Sequence, residues 1–161
     1  MPTEIQIAPY TDRDRDAVAA LIVGIQRGEL GVPITLDDQP DLQDVPAFYG
    51  RGDGGFWVAR DGADVVGTIG LLDQGAPALR KMFVRADRRG AAHGVARGLL
   101  EALLAHARAR GLRAITLGTR PEMIAAHRFY ERAGFVRIDL AALPPGFPRM
   151  QVDSVFYRLD L

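Results

Sequence analysis

The sequence predicts an α/β (α+β) fold of about seven strands and about four helices, in a single domain that spans residues 1–161. Short segments with alternating or continuous apolar residues predict the strands. Apolar residues that recur every three or four positions predict the helices. Glycine- and proline-containing turns separate these segments. A hydrophobic content of 48% and a charged content of 25% are ordinary for a globular protein.

The N-terminal part of the chain predicts one strand and one helix. Residues 4–8 alternate polar and apolar side chains, as a half-buried strand does. Thr11 or Asp12 is suited to cap the following helix. Helical spacing of apolar residues continues to about Gln26, where we expect the helix to end.

A long segment rich in proline, aspartate and glycine, residues 31–54, comes next. It predicts one short helix that begins near Asp41. The apolar residues that support this helix are Leu42, Val45, Phe48 and Tyr49. Because the segment is too long for a plain connection, it is typical of a lid or binding loop.

Three strands are then predicted to form an antiparallel meander. They are residues 55–60, 65–72 and 78–84. Asp61-Gly62 is a turn dipeptide of the hairpin type. The middle strand is nearly all apolar, so we expect it to be central in the sheet.

The next helix, residues 95–110, ends at Gly111 and leads into a strand at 113–118. A strand, a helix and a strand in succession predict a right-handed crossover. We therefore expect the strands at 78–84 and 113–118 to be parallel.

Thr119 and Glu122 have the spacing of a capping box, with Pro121 in the first helical turn. They predict a helix that runs to Ala133 and is terminated by Gly134. The last two strands are predicted at residues 135–140 and 152–161.

Composition excludes several classes of function. Twenty basic and twenty acidic residues cancel, which argues against non-specific nucleic-acid binding. The absence of cysteine excludes disulfides, thiolate metal sites and a cysteine nucleophile. The three histidines lack metal-ligand spacing, so we expect no metal. No apolar run has the length of a membrane span, and residues 1–10 lack a secretion signal, so we expect a cytoplasmic location without membrane partners.

The stretch between the third meander strand and the next helix predicts an anion site. Gly90 and Gly94 let a ligand approach the backbone closely. The helix that begins at Val95 presents free N–H groups and the positive end of its dipole. Arg88, Arg89 and His93 are the candidates in this loop to supply positive charge. Such a loop is suited to phosphate or pyrophosphate; the alternative is an ordinary strand-to-helix turn with solvated arginines.

Two motifs carry a family resemblance. The first is Met82-Phe83-Val84, then Arg89-Gly90, Gly94-Val95-Ala96 and Leu99-Leu100. In the second, residues 126–135, Tyr130 is followed four residues later by Gly134-Phe135. Their order resembles the GCN5-related N-acetyltransferase (GNAT) family. Gln39-Pro40-Asp41-Leu42 and Val152-Asp153-Ser154 with Phe156-Tyr157 are similar to a bacterial subgroup of that family.

The resemblance implies a mixed, mostly antiparallel central sheet and a transferase that uses acetyl-CoA. It implies acetyl transfer to a primary amine of a small molecule or peptide by direct attack, and it is compatible with a homodimer. Tyr130 is the implied general acid for the leaving thiolate. The implied cofactor-binding residues are Met82, Phe83, Val84, Arg89, Gly90, Ala92, His93, Gly94, Val95, Ala96 and Tyr130.

Two positions and one strand depart from the family pattern. Ala91 stands where the family usually has arginine or glutamine, and Met123 where it often has asparagine. Residues 78–84 contain no acid, although many relatives carry a glutamate base there. The missing asparagine and the missing strand acid motivate an alternative, a non-catalytic CoA-binding module. A site for another phosphate ligand, such as a nucleotide, is a third hypothesis.

The general base is not assigned by the sequence. Glu29 and Asp153, the latter on the predicted last strand, are the preferred candidates. Other candidate carboxylates are Asp37, Asp38 and Asp73.

His127 shares the helix of Tyr130, and we expect it to be structural. Arg80 and Lys81 are interpreted as partners of a substrate carboxylate or a CoA phosphate, or as a solvated strand face. Residues 31–54 and 141–150 are expected to shape the acceptor pocket.

Overall fold

The computed structural model of the protein describes residues 4–150 and 153–161. Over these ranges the chain forms seven strands and five α-helices. The strands are β1 (Ile5–Pro9), β2 (Gly55–Asp61), β3 (Asp64–Asp73), β4 (Pro77–Val84), β5 (Ala114–Thr119), β6 (Val136–Ile138) and β7 (Val155–Asp160). The helices are α1 (Arg15–Gly24), α2 (Pro40–Gln43), α3 (Val45–Tyr49), α4 (Val95–Ala109) and α5 (Ile124–Arg132).

All seven strands belong to one sheet, in the order β1-β2-β3-β4-β5-β7-β6. The pair β4–β5 is parallel, and the other five neighbouring pairs are antiparallel. The predicted meander and the predicted parallel pair are therefore confirmed. The central position of β3 is confirmed too, because its residues 65–72 are all buried.

Apolar clusters cover both faces of the sheet, as a sheet with helices on each side requires. One cluster joins α4 and α5 to the sheet and includes Leu99, Tyr130 and Ile115. The other joins α1 and the two short helices to the sheet through residues such as Ile22 and Tyr49. The two faces of β4 thus contact different sets of helices.

The first helix begins as predicted and ends later. The Thr11 N–H donates to Asp14 Oδ2 at 2.9 Å and so supports the cap at Thr11. Beyond α1 the chain continues through one π-helical turn, Ile25–Glu29, instead of stopping near Gln26. Its closing bond runs from the Leu30 N–H to the Ile25 carbonyl, at 3.0 Å. Single π-turns are frequent beside functional sites.

Residues 31–54 contain two short helices where the sequence predicts one. Asp44 separates them with an extended φ of −146°, and its Oδ1 accepts from the Ala47 N–H at 3.2 Å. Pro46 has no N–H to donate to an uninterrupted helix, so a new helix starts at this cap.

The capping box predicted at Thr119 and Glu122 is wrong. Thr119 pairs with Val155 as the last residue of β5, and α5 begins at Ile124 without a side-chain cap. Glu122 instead forms an ion pair with Arg120 at 2.5 Å. Strand pairing of Thr119 therefore prevails over its local helix-capping tendency.

The last strand is shorter than predicted. It begins at Val155, so Asp153 precedes β7 instead of lying on it. Val152, the predicted first residue of that strand, lies outside the described residues.

Candidate functional site

The site is organised by a divergence of two parallel strands. The only register pair between β4 and β5 in the described ranges is Ala78 with Thr116. Because β4 continues to Val84, its edge from Arg80 onward faces no neighbouring strand on that side. An open strand edge offers main-chain N–H and C=O groups to an extended ligand.

A β-bulge lies in the same part of β4. Phe83 pairs with Thr68 and Arg80 with Gly70, so Lys81 and Met82 together face a single residue of β3. Lys81 has a φ of 53°, a left-handed conformation that is unusual for a residue with a side chain. The Thr68 hydroxyl donates to the Lys81 carbonyl at 2.7 Å and holds the bulge.

The bulge changes which side chains share a face. Arg80 and Lys81, although consecutive, both line a cleft on the side of α1–α3. Leu79 and Met82 pack on the opposite side, against the cluster that includes α4. Without the extra residue, strict alternation would separate Arg80 from Lys81.

The predicted anion loop leaves main-chain groups accessible. Gly94 occupies the left-handed region with a φ of 67°, and α4 starts directly after it without a side-chain cap. No acidic residue occupies the first turn of α4. A Cβ at Gly90 or Gly94 would meet no other atom within 4 Å, so the space above both glycines is open. The free N–H groups of the 15-residue helix therefore face an open loop.

The loop's arginines have partners within the protein. Arg88 is paired with Asp61. Arg89 forms an ion pair with Glu29 at 2.6 Å, and its Nε donates to the Val84 carbonyl at 2.8 Å. These contacts brace the loop against β4 and the π-turn. The field for an anion thus comes mainly from the helix start.

Tyr130 lies against the open stretch of β4. Its hydroxyl donates to Met82 Sδ at 3.6 Å, and its side chain is buried. Burial raises the pKa of Tyr130 well above its usual value, and the charge of Asp153 raises it further. The hydroxyl is therefore protonated at neutral pH. The structure brings Tyr130 and Met82 together, two residues of the predicted site.

Asp153 lies beside the same region. It packs on Gly118 near the end of β5, where a Cβ on that glycine would come within 2.7 Å of Asp153 Oδ2. Burial raises the pKa of the Asp153 carboxyl, and the positive charge of Arg80 opposes that rise. The charge of Asp153 thus affects the pKa of Tyr130, and the charge of Arg80 affects the pKa of Asp153, so the three side chains are electrostatically linked.

The other sequence candidates lie elsewhere or have structural partners. Glu29 is held by Arg89 at the anion loop. Asp73 accepts from the Asp53 N–H at 2.8 Å. Asp38 accepts from the main chain and hydroxyl of Thr35, both at 2.9 Å. Asp37 is exposed on the segment before α2.

His127 has the structural surroundings that we expected. It is buried, and its Nε2 lies 3.0 Å from the Arg120 carbonyl. The contact joins α5 to the loop that follows β5.

The cleft beside Arg80 and Lys81 has a volume of about 240 Å³. Both segments expected to shape an acceptor pocket, residues 31–54 and 141–150, contribute to it. Its apolar walls include Ile34, Pro40, Phe48, Leu72, Pro148 and Met150. Its polar lining includes Asp38, Gln39, Asp41, Gln74, Arg80 and Lys81.

Lys81 is the centre of a buried polar network. Its side chain is 6% exposed; Nζ donates to Gln39 Oε1 at 2.5 Å and lies 3.7 Å from Asp41 Oδ2. Asp41 also accepts from the Tyr49 hydroxyl at 2.7 Å. Gln26 and Gln39 exchange two amide hydrogen bonds, at 3.0 and 2.8 Å. Burial lowers the pKa of Lys81, and the charge of Asp41 opposes that shift.

The interpretation of Lys81 as part of a solvated strand face is therefore wrong. Sequence reasoning also missed Thr68 and the glutamine pair. One signal for the bulge was present, because Gly67 and Gly70 interrupt the otherwise apolar strand β3. Nothing in the spacing of Gln26 and Gln39 indicates their contact, since it bridges two separate elements.

Comparisons with known proteins show the family and the fold. Residues 26–135 match the family described as Acetyltransferase (GNAT) family. A crystal structure of a GNAT-family acetyltransferase from Staphylococcus aureus Mu50 is 34% identical, with a TM-score of 0.89 over 98% of this chain and 99% of the other. The structure of yncA from Salmonella typhimurium with its cofactor acetyl-CoA shares the fold, with a TM-score of 0.70 and 20% identity over 98% of this chain and 94% of the other.

Curated relatives are longer than this chain. N-acetylaspartate synthetase from Danio rerio is 31% identical over 125 residues, 74% of this chain and 44% of the relative. The chain thus matches less than half the length of that relative.

The mixed, mostly antiparallel seven-stranded sheet with its helices is the fold of these acetyltransferase structures. The chain belongs to the GNAT acetyltransferase family.

Two further findings concern the described residues. They contain no group of three or more histidine, aspartate or glutamate side chains placed to hold a metal ion. No helix among them is both long and apolar enough to traverse a lipid bilayer.

Proposed function

We propose that the protein transfers an acetyl group from acetyl-CoA to a primary amine. The observation that carries the proposal is the position of Tyr130. Its hydroxyl contacts the Met82 side chain, and Met82 lies on the stretch of β4 whose edge is open. The loop that follows β4 leads to the uncapped N-terminus of α4. Together they offer a main-chain track, an anion site and a proton donor.

The anion site fits the pyrophosphate of CoA. The first N–H groups of α4 and the main chain around Gly90 and Gly94 are suited to bind it, along with Ala92, His93, Val95 and Ala96 of the predicted set. Arg89 positions the loop through Glu29 and Val84. Main-chain groups of Met82, Phe83 and Val84 are suited to bind the extended arm of the cofactor, because β5 does not pair with that stretch.

Acetyl-CoA supplies an activated acetyl group as a thioester. In the proposed reaction the amine nitrogen forms a bond with the acetyl carbon, and the bond from that carbon to sulfur breaks. Tyr130 donates its hydroxyl proton to the leaving sulfur. The proton lost by the amine goes to a base, so the products are an amide and CoA.

We propose Asp153 as that base, directly or through one water. Its support is its position beside Gly118 and the effect of its charge on the pKa of Tyr130. Glu29 is less suited, because its carboxylate is engaged by Arg89 at the far end of the cofactor track.

An amino acid is one candidate acceptor, in line with the name N-acetylaspartate synthetase carried by a relative. The homodimer and the cytoplasmic location remain predictions.

A matched pair of glycines tests the cofactor site. Gly94 and Gly111 flank α4, have φ values of 67° and 76°, and have open space where a Cβ would point. Alanine at either position therefore carries a similar conformational cost, on the order of 1–2 kcal/mol. Gly94→Ala places its methyl group in the proposed anion site, whereas Gly111→Ala does not.

Calorimetry with acetyl-CoA and CoA is expected to show saturable binding to the wild type and to Gly111→Ala. We expect Gly94→Ala to bind at least tenfold more weakly. An amine panel with labelled acetyl-CoA then tests transfer. Binding without transfer to any amine would favour the non-catalytic CoA-binding module, and competition by ATP but not by CoA would favour a nucleotide site.

A further inference from the structure

Arg80 is a cation that faces the cleft without a carboxylate partner. Among residues 4–150 and 153–161 it forms no ion pair, and its side-chain contact is from Nη2 to Met150 Sδ at 3.1 Å. A thioether does not compensate a guanidinium charge. The five residues outside those ranges carry no acidic side chain.

The other charged groups of the cleft have partners. Lys81 is neutralised by Asp41 and bonded to Gln39. Asp38 is held by Thr35. Asp153 influences Arg80 from beyond ion-pair distance. The bulge therefore places two consecutive cations on one face, and among residues 4–150 and 153–161 only Lys81 has a carboxylate within ion-pair distance.

We infer that the amine acceptor carries a carboxylate, which Arg80 binds, and that it is a free amino acid with an apolar side chain. The inference rests on the proposed acetyl transfer and names its substrate class. A guanidinium presents a planar fork that matches a carboxylate with two parallel hydrogen bonds. The apolar walls formed by Phe48, Leu72 and Met150 suit an apolar side chain.

The size and charge of the cleft favour this class over larger or more highly charged ligands. Its volume of about 240 Å³ lies below the roughly 300–1,000 Å³ of pockets for drug-sized ligands. Its lining carries two carboxylates and two cations, so the uncompensated charge of Arg80 matches one negative charge, and a dianion such as a phosphate would exceed it. A zwitterion, with one ammonium and one carboxylate, matches a lining of both signs.

Binding to the CoA-loaded protein tests the inference apart from turnover. L-leucine, L-leucinamide and the dipeptide Leu-Gly are compared by calorimetry, for the wild type, Arg80→Met and the control Arg158→Met. Arg158 is an exposed β7 residue that is paired with Asp160 and is not among the residues that line the cleft. We expect leucine to bind at least tenfold more tightly than leucinamide, and Arg80→Met alone to abolish that preference.

Equal binding of leucine and leucinamide, or an unchanged preference in Arg80→Met, would overturn the inference. Tighter binding of Leu-Gly than of leucine would overturn the assignment to a free amino acid. Acetylation of amines at rates independent of a carboxylate would leave the proposed transfer standing and refute the inference. Arg80-dependent leucine binding with no transfer to any amine would support the carboxylate site and refute the proposed transfer.

Discussion

The two faces of β4 are built in different ways. On the side of α4 and α5, Met82 packs into an apolar cluster, and the polar function comes from main-chain groups and one tyrosine hydroxyl. On the side of α1–α3, a buried lysine is held by amide and carboxylate side chains from a distant segment. The bulge at Lys81 is shared by both faces.

This difference shows how each half of the site depends on the sequence. The first face uses a strand, a glycine loop and a helix that are consecutive in the chain. The second uses Gln26, Gln39, Asp41 and Lys81, brought together only by folding. Motifs therefore predict the first face, and substitutions are expected to damage the two faces differently.

The largest effect is expected from Lys81→Met, in thermodynamic stability. The substitution removes a buried cation and leaves Asp41 and Gln39 without its contacts. Loss of one partner of a buried ion pair typically costs about 3–5 kcal/mol. Chemical denaturation measures this loss as a fall in the free energy of unfolding.

The double variant Lys81→Met/Asp41→Asn is the matched test of that pair. We expect it to lose less stability than the two single variants added together, because neither charge is left unpaired. The asparagine side chain introduced at position 41 keeps an acceptor for the Tyr49 hydroxyl. Strict additivity would show that the polar network is not coupled.

The next largest effect is expected from Tyr130→Phe, in catalysis. Removal of the proposed acid is expected to lower kcat about 100-fold, within the roughly 10²–10⁴ of general acid–base catalysis. Affinity for acetyl-CoA should change less than threefold, since the ring stays in place. Steady-state kinetics and calorimetry separate the two quantities.

Tyr157→Phe is the control for a buried tyrosine outside the proposed chemistry. Its hydroxyl donates to Glu131 at 2.7 Å, and its side chain is 1% exposed. It is expected to lower stability by about 1 kcal/mol and to leave kcat within twofold of the wild type. An equal fall in kcat for both variants would contradict the role of Tyr130.

A smaller effect is expected from Thr68→Val, which tests the bulge shared by both faces. The substitution removes the donor to the Lys81 carbonyl and leaves a buried acceptor unsatisfied. We expect a loss of about 1–3 kcal/mol in the free energy of unfolding. The KM for the amine substrate should rise as well, because the bulge sets the position of Arg80.

Thr116→Val is the matched control on β5. Thr116 is 2% exposed and has no side-chain hydrogen bond to the described residues. Its substitution should lower the free energy of unfolding by less than Thr68→Val does. It should leave the KM for the amine substrate unaltered. A similar rise in KM for both variants would show that the bulge does not position the cleft.

Prediction from the sequence succeeds where a feature is local or repeats along the chain. All strands overlap their predicted positions, and Gly111 and Gly134 have the positive φ values that end their helices, 76° and 100°. It fails where tertiary contacts override local tendency, as at Thr119, and where side chains meet across the chain, as at Lys81. The cleft arises from a bulge and two loops, so no spacing along the chain encodes it.

The smallest of the predicted effects concerns the base and depends on pH. Burial raises the pKa of Asp153, so its carboxylate takes up a proton at a pH above the usual aspartate range. A base must be ionised, and kcat/KM should fall as the pH drops through that raised pKa. In Asp153→Asn we expect kcat/KM to fall at least tenfold at neutral pH. We also expect that its fall at low pH, the acid limb of the profile, no longer includes a contribution from this group.

Glu29→Gln is the matched variant at the other candidate. Its ion pair with Arg89 is partly exposed, so we expect less than about 1 kcal/mol of lost stability, with kcat/KM within twofold and the acid limb intact.

The pH dependence of stability separates the two carboxylates further. A raised folded-state pKa means that wild-type stability falls as the pH rises from the unfolded pKa through the folded one, and Asp153→Asn lacks that fall. If the fall of kcat/KM at low pH persists in Asp153→Asn and disappears in Glu29→Gln, the base is Glu29 at the anion loop. Contacts on the two faces of β4 would then contribute less to the shared chemistry than their positions indicate.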